Sequence, residues 1–392
     1  MKEALVARLE SPVLIIGAGI GGLTAALALL RQGFEVRIFE RAPIFGDVGA
    51  GISLGHTAMR GLRSLGLGEA LDEAGDPPVA SAALHYQTGE VLGGAYATRN
   101  WIDADSSDKR QLHRADLSAV LSAAVTAISP QAISMNHEFV RFEQDGTGVT
   151  AFFVNGSSVR GAALIGCDGI RSEVRAQMVN DPPPVFTGRV AYRFLVPMDL
   201  AYPYVRNEIG GIYVGPNQSL QRYTVRHGQL VNCVAFVHNQ DWRGEGWSQR
   251  VDTAELISLF EGWHPNVVGL ARAAPHEGTA KWALYDRDPI PTWIQGRVAL
   301  LGDAAHPVLP FLGFGAALCI EDAVVLGRAL GQAEDTSNAF RLYETARIRR
   351  ATNIQLDSRL QGRILRDGPD SELRLRVSQQ ERTEYDPSAV RL

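Results

Sequence analysis

The chain has 392 residues, 45% hydrophobic and 21% charged, a balance found in folded globular proteins and not in disordered or fibrous ones. Net charge is −5 and the pI about 6.0, with acids and bases interspersed, which argues against nucleic acid as a partner. The three cysteines, Cys167, Cys233 and Cys319, are far apart and form no CxxC, so neither a disulfide framework nor a thiolate metal site is expected, and a reducing, cytoplasmic compartment fits.

From Val13 to Leu30 there are 18 residues without a charge, about the length that spans a bilayer. Four glycines between 17 and 22 divide this run into a β-branched piece, "VLII", and a helical piece, Leu23 to Leu30. The flanks lack the basic region and cleavage site of a signal peptide, so no membrane partner is expected. The opening therefore reads β-α-β, with Gly33 stopping the helix and "EVRIFER" alternating toward Glu40.

One helix is expected over "TAMRGLRSLGLGEALDEAG", ending before Pro77 and Pro78. "SAALHYQTGEVLGGAYA" has the texture of antiparallel strands, and "RADLSAVLSAAVTAI" that of a helix. A hairpin-like run follows to Gly169, then strands from about 186 to 240, a helix at "TAELISLFEGW" and a strand at "RVALLGDA". Beyond the turn-rich "HPVLPFLGFG" a helix starts at about Gly315, with Ala316, Ile320, Ala323, Gly327 and Leu330 on one stripe. The last helix, "RLYETARIRRATNIQLDSRLQGRIL", is rich in arginine and reads as a solvated face offset by Glu344 and Asp357.

The expected fold class is α/β: a Rossmann-like nucleotide-binding domain interrupted by a mostly antiparallel-sheet domain, with a C-terminal helix. The first comprises 1–75, 105–185 and 282–392, and the second, which carries the substrate, 76–104 and 186–281.

Gly17, Gly19 and Gly22 form GxGxxG between a strand and a helix, and Glu40 closes the next strand. Glycines there allow a tight turn and bring backbone amides to a pyrophosphate at the helix's positive end, while the acid takes ribose hydroxyls. A carboxylate at Glu40 repels a ribose phosphate, so the ligand is FAD or NAD and not NADP. Two further strand ends carry polar turns: Asp168-Gly169 and Gly302-Asp303.

GxGxxG followed by Glu40-Arg41, the DG pair at 168 and the GD pair at 302 resemble the FAD-dependent aromatic hydroxylases, the single-component flavoprotein monooxygenases. "GAGIS" (49–53), "HRADL" (113–117) and "TGRVAYR" (187–193) match as well, in the same order along nearly the whole chain. The similarity is greatest to salicylate hydroxylases and their hydroxybenzoate and hydroxynicotinate relatives, which also end near an aromatic-Asp pair like Tyr385-Asp386.

This resemblance implies FAD as cofactor and NADH or NADPH as a transient co-substrate, since no second GxGxxG is present in a β-α-β setting. It implies O2 and a small aromatic acid as the other reactants, with oxygen transferred through a flavin hydroperoxide. Asp303 then meets the ribityl chain, Gly313, Gly315 and Ala316 approach the flavin, and Arg114 reaches the pyrophosphate or ring edge. "GDVGAG" (46–51) is a loop near the flavin. Tyr223 stands over the substrate, Pro310 and Phe314 border it, and His306 lies beside the flavin as a second catalytic candidate.

Two positions depart from the family pattern. Ser219 stands where hydroxybenzoate and hydroxynicotinate hydroxylases carry a histidine, and Phe314 where many carry a glutamine, which makes the pocket less polar. His56 is expected in packing and His227 in a hairpin turn, and no histidine pair has metal-ligand spacing. A monomer or homodimer is expected. The rival readings are an FAD-linked reductase on the same fold, which needs a long apolar tunnel, and a flavin-binding protein without activity, which has an occluded flavin face.

Overall fold

The uncharged run near the start folds as a buried strand, Val13–Ile16, a turn, and a helix, Ile20–Arg31. The computed structural model describes residues 9, 11–46, 50–78, 81–92, 108–205, 210–239, 242, 249–275, 279–367 and 375–392. Residues 47–49 of the expected flavin loop and the strand texture at 93–97 lie outside them. No described helix is long and apolar enough to cross a membrane.

A six-stranded sheet runs in the order Ile294–Gln295, Val298–Leu300, Ala163–Gly166, Val13–Ile16, Val36–Phe39, Ile133–Ser134. Only the edge pair Ile294–Gln295 with Val298–Leu300 is antiparallel. The central strands are buried on both faces, which is why they read as continuous apolar runs. Chain order reverses on either side of Val13–Ile16, and α/β sheets bind ligands in the crevice at such a switch point. Helix Ile20–Arg31 covers this sheet against helix Gly315–Gln332. A Cβ on Gly327 would lie 2.8 Å from that of Ala28, so the two helices cross too closely for any larger residue.

A seven-stranded sheet runs in the order Gln249–Arg250, Ala280–Asp286, Val185–Pro197, Leu230–His238, Gln218–Val225, Gly210–Gly215, Ser81–His85. Directly opposed residues share a face, so the register places Ala280, Arg193, Val234, Gln221, Ile212 and Ala83 in one row across it. Their sequence neighbours Tyr192, Phe194, Leu220, Cys233 and Tyr213 face the other way, into a core closed by helices Met198–Val205, Thr253–Ser258 and Pro265–Ala273.

Several expectations need correction. The expected single helix from 57 to 75 is two, His56–Ser64 and Gly68–Ala74, because Gly66 takes a left-handed conformation (φ +74°) that no helix continues through. Ser81–His85 turns back antiparallel onto Val91 through a Leu84–Val91 bridge, as its texture suggests, but it joins the larger sheet by pairing parallel with Gly210–Gly215. The sequence reading also missed helix Pro265–Ala273, whose Pro265 opens its first turn.

The arginine-rich helix, Thr336–Asp367, is not a solvated face. Arg347 is fully buried between Glu321 (2.7 Å) and Asp322 (2.8 Å) of the preceding helix, and Arg350 joins it on Glu321. Asp357 is likewise buried and accepts from the amides of Arg376 and Val377, while Glu344 accepts from Trp293 N and Thr292 Oγ1. Arg359 pairs with Asp286, and Arg189 donates to Gly362 O, so this helix straps the seven-stranded sheet to the six-stranded one. Acids on other elements, invisible to local spacing, neutralise its charge.

Candidate cofactor and active site

Four motifs separated by up to 286 residues converge at the carboxyl ends of adjacent parallel strands: Gly17, Glu40, Asp168 and Gly302-Asp303. Gly17 needs its positive φ of +100°, and a Cβ there would lie 2.5 Å from Cys167 O. A Cβ at Gly22 would strike Gly17 O at 1.9 Å, so these two glycines make the turn itself. Gly19 differs: nothing lies within 4 Å of its added Cβ, and it precedes a helix whose first amides have no side-chain cap. Gly169 and Gly315 are open in the same way, and Gly315 begins a second uncapped helix after the left-handed Gly313 (φ +71°).

The acids divide into two kinds. Glu40 accepts from Ala18 N at 2.9 Å and Ala42 N at 3.0 Å, which ties the second strand to the glycine turn. Asp168 accepts from Ser172 Oγ (2.5 Å) and the amides of Glu173 and Val174, so its carboxylate caps helix Glu173–Met178. The Asp303 carboxylate, by contrast, has no hydrogen bond among the described residues, and the residue is exposed. Protein mass around it pushes its pKa up, while His306 and Arg114 pull it down.

Next to this cradle lies a cavity of about 360 Å3, the size of a small-molecule site. Its floor is the outward row of the seven-stranded sheet: Arg193, Ile212, Gln221, Tyr223, Val234 and Phe236. Its opposite wall is the loop from Val308 to Ala317, with Pro310, Phe311 and Phe314. Strand Gly51–Leu54 closes one side, where a Cβ on Gly51 would lie 2.7 Å from both Tyr223 Cε2 and Asn232 Cγ. Gly51 N donates to Asn232 Oδ1 at 2.7 Å, which sets this close approach. Burial raises the pKa of Tyr223, so its hydroxyl stays protonated.

A family model described as an FAD binding domain matches residues 10–356. The chain belongs to that FAD-binding family. It is 34% identical to the 6-hydroxynicotinate 3-monooxygenase of Bordetella bronchiseptica, over 88% of this chain and 89% of that protein. It is 36% identical to the 3-hydroxybenzoate 6-hydroxylase of Polaromonas naphthalenivorans, over 91% of this chain and 88% of the other. Among solved structures, a salicylate hydroxylase substrate complex matches with a TM-score of 0.76 at 28% identity, covering 91% and 89% of the two chains. The protein HpxO of Klebsiella pneumoniae, complexed with FAD, matches with a TM-score of 0.81 at 29% identity, covering 92% and 91%.

The residues present fit the cofactor of the FAD-binding family. Three open glycines at strand ends and helix starts leave room for backbone approach, and the partnerless Asp303 carboxylate offers an acceptor for hydroxyls. Arg41, just past strand Val36–Phe39, and Arg114, just past strand Arg110–His113, are both exposed, and Arg114 acts on Asp303 through its charge.

Of the sequence-expected substrate residues, Tyr223, Pro310 and Phe314 meet in the cavity. His306 does not: it is buried behind the 302–303 turn, Nε2 at 2.5 Å from Asp322 Oδ2, with its ring 4.9 Å from that of Trp293. His56, expected at the surface or in core packing, is buried and also lines the cavity. Arg193 was missed as a site residue, although "TGRVAYR" had been matched. The usable signal was parity, because alternation along paired strands puts Arg193 on the face of Tyr223.

Proposed function

We propose that this protein is an FAD-dependent monooxygenase that hydroxylates a small phenolic aromatic acid, consuming NADH or NADPH and O2. The balance is ArH + NAD(P)H + H+ + O2 giving ArOH + NAD(P)+ + H2O. Bound FAD supplies the electron relay from the nicotinamide and the activation of oxygen. The observation that carries this reading is the cavity of about 360 Å3 between Tyr223 and the loop that opens helix Gly315–Gln332. A small site beside Tyr223 favours this reading over a reductase acting on an isoprenoid, which needs a long apolar tunnel.

The chain's own groups divide the work. Gly19, Gly169 and Gly315 let backbone meet the cofactor, Glu40 and Asp303 serve its hydroxyls, and Arg114 its charge. Tyr223 donates a hydrogen bond from its protonated hydroxyl to a phenolic oxygen, where it stabilises developing negative charge. Val234, Phe236, Phe311 and Phe314 hold the ring and exclude water. With Ser219 in place of a histidine, no imidazole stands on that strand, and Gln221 and Tyr223 are the polar side chains it brings to the cavity.

The test is NADH and NADPH oxidation by the FAD-loaded protein across a panel of hydroxybenzoates, with isotopically labelled O2. Labelled hydroxylated product from at least one of them is expected. Purified protein that never retains FAD, or that reduces substrates without taking up label, would overturn the reading.

A further inference from the structure

Gly362 stands inside helix Thr336–Asp367, where glycine is a poorer helix former than alanine, so its place there needs a reason in packing. The reason is Phe311: a Cβ on Gly362 would lie 2.9 Å from both Phe311 Cδ2 and Cε2. Gln361 before it and Leu365 after it line the cavity, as Phe311 does. At Gly362, therefore, the loop wall of the cavity rests directly on helix backbone.

Other sides of the Phe311 ring are occupied. Phe236 meets it edge to face, centroids 5.3 Å apart at 65°, and the Arg189 guanidinium carbon stands 4.9 Å from its centroid. Arg189 is itself fixed, because its Nη2 donates to Gly362 O at 2.7 Å. About one helical turn earlier, Ser358 Oγ donates to Leu309 O, which anchors the loop just before the short Pro310–Leu312 turn. With sheet, arginine and anchor closed around it, a ring displaced from position 362 moves toward the cavity it already lines.

We propose that Gly362 is a positioning residue that sets how large an aromatic ring the cavity admits. By placing no side chain behind Phe311, it lets that ring stand back against the helix. A residue outside the cavity thereby fixes its depth at the Phe311 wall. The inference rests on the reading above only in that an aromatic ring binds in this cavity; it does not require that the ring be hydroxylated.

Calorimetric titration of the FAD-loaded protein with benzoate and with 2-naphthoate compares two flat anions that differ in size, without turnover. Gly362→Ala should lower the affinity for 2-naphthoate relative to benzoate roughly ten-fold or more, the scale of a small overpacking, with FAD content unchanged. Adding Phe311→Leu to Gly362→Ala should restore the wild-type ratio, because the smaller side chain leaves room for the methyl. If wild type excludes 2-naphthoate, the same cycle is read on benzoate affinity itself. An unchanged ratio, equal weakening of both ligands, or a loss that Phe311→Leu does not relieve overturns the proposal, as do unchanged benzoate affinity in the second case and a wild type that binds neither ring. If Gly362→Ala does not fold, the double variant must fold and bind as wild type does, or the proposal fails. A size shift without labelled product keeps this inference and loses the hydroxylase reading; labelled product with an unchanged ratio does the reverse.

Discussion

Asp322 Oδ2 lies 2.5 Å from His306 Nε2 in the fully buried space behind the Gly302-Asp303 turn, and the same carboxylate oxygen accepts from Gly302 N at 3.1 Å. Helix Gly315–Gln332 thus reaches back across the loop that precedes it and fixes the Gly302-Asp303 turn. Arg347 Nε completes the set on Asp322 Oδ1, and Tyr385 near the chain's end places its ring 5.0 Å from the Arg347 guanidinium. The Gly302-Asp303 turn is in this way held by helix Thr336–Asp367.

Asp322→Asn should therefore cost stability and cofactor together. Removing one partner of a buried ion network costs about 3–5 kcal/mol. Denaturant unfolding of the variant should show that loss, and equilibrium dialysis should show weaker FAD retention. Unchanged FAD affinity would confine Asp322 to scaffolding.

The pH dependence of this network has a definite sign. Burial opposes ionisation of Asp322, but His306 and Arg347 outweigh it and hold its pKa below the usual carboxylate range. A depressed carboxylate contributes stability that is present above its unfolded pKa of about 3.9 and is lost as pH falls through the lower folded value. Wild type should then lose stability more steeply than Asp322→Asn on acidification below about pH 4, measured by thermal melts across that range.

Asp303 has the opposite sign. The protein mass packed around its carboxyl group raises its pKa although the residue is reached by solvent, so in the cofactor-free protein its contribution is present below the unfolded value and is lost as pH rises through the folded one. Apo Asp303→Asn should melt no lower than wild-type apoprotein at neutral pH while retaining FAD less well. A variant that melts lower and binds FAD normally would reverse both assignments.

Tyr223→Phe should keep FAD and the fold while lowering turnover of phenolic acids. Loss of one hydrogen bond to a charged oxygen, worth about 1.5–3 kcal/mol, corresponds to a ten- to roughly hundred-fold decrease in kcat/KM. Steady-state kinetics on the best hydroxybenzoate check this, and unaltered constants would assign the ring to packing.

Gly51→Ala tests the cavity wall. The new methyl must displace Tyr223 or Asn232, both 2.7 Å away, and overpacking of this kind costs about 1–3 kcal/mol. Substrate affinity should fall while FAD content holds, since Gly51 touches the substrate floor and not the glycine turns at 17 to 22. Benzoate titration of the variant gives the answer.

The cofactor half of the site was legible in the sequence because its signals are local. A turn that needs φ +100° at Gly17, or an acid at a strand's carboxyl end, is set by a few consecutive residues and survives without knowledge of the rest of the fold. Helix Gly315–Gln332 was readable for the same reason, through its apolar stripe. The arginines of helix Thr336–Asp367 were misread because their partners, Glu321, Asp322 and Asp286, sit on other elements.

The sequence by itself determined the cofactor class, since backbone turns and strand ends are dictated by near neighbours. Only the tertiary structure decided the substrate side. Strand register put Arg193 and Tyr223 on one face, Gly51 brought a separate strand against them, and His306 was turned away from the cavity toward Asp322. Those relations depend on which strands pair and in what register, a long-range outcome that no local pattern along the chain specifies.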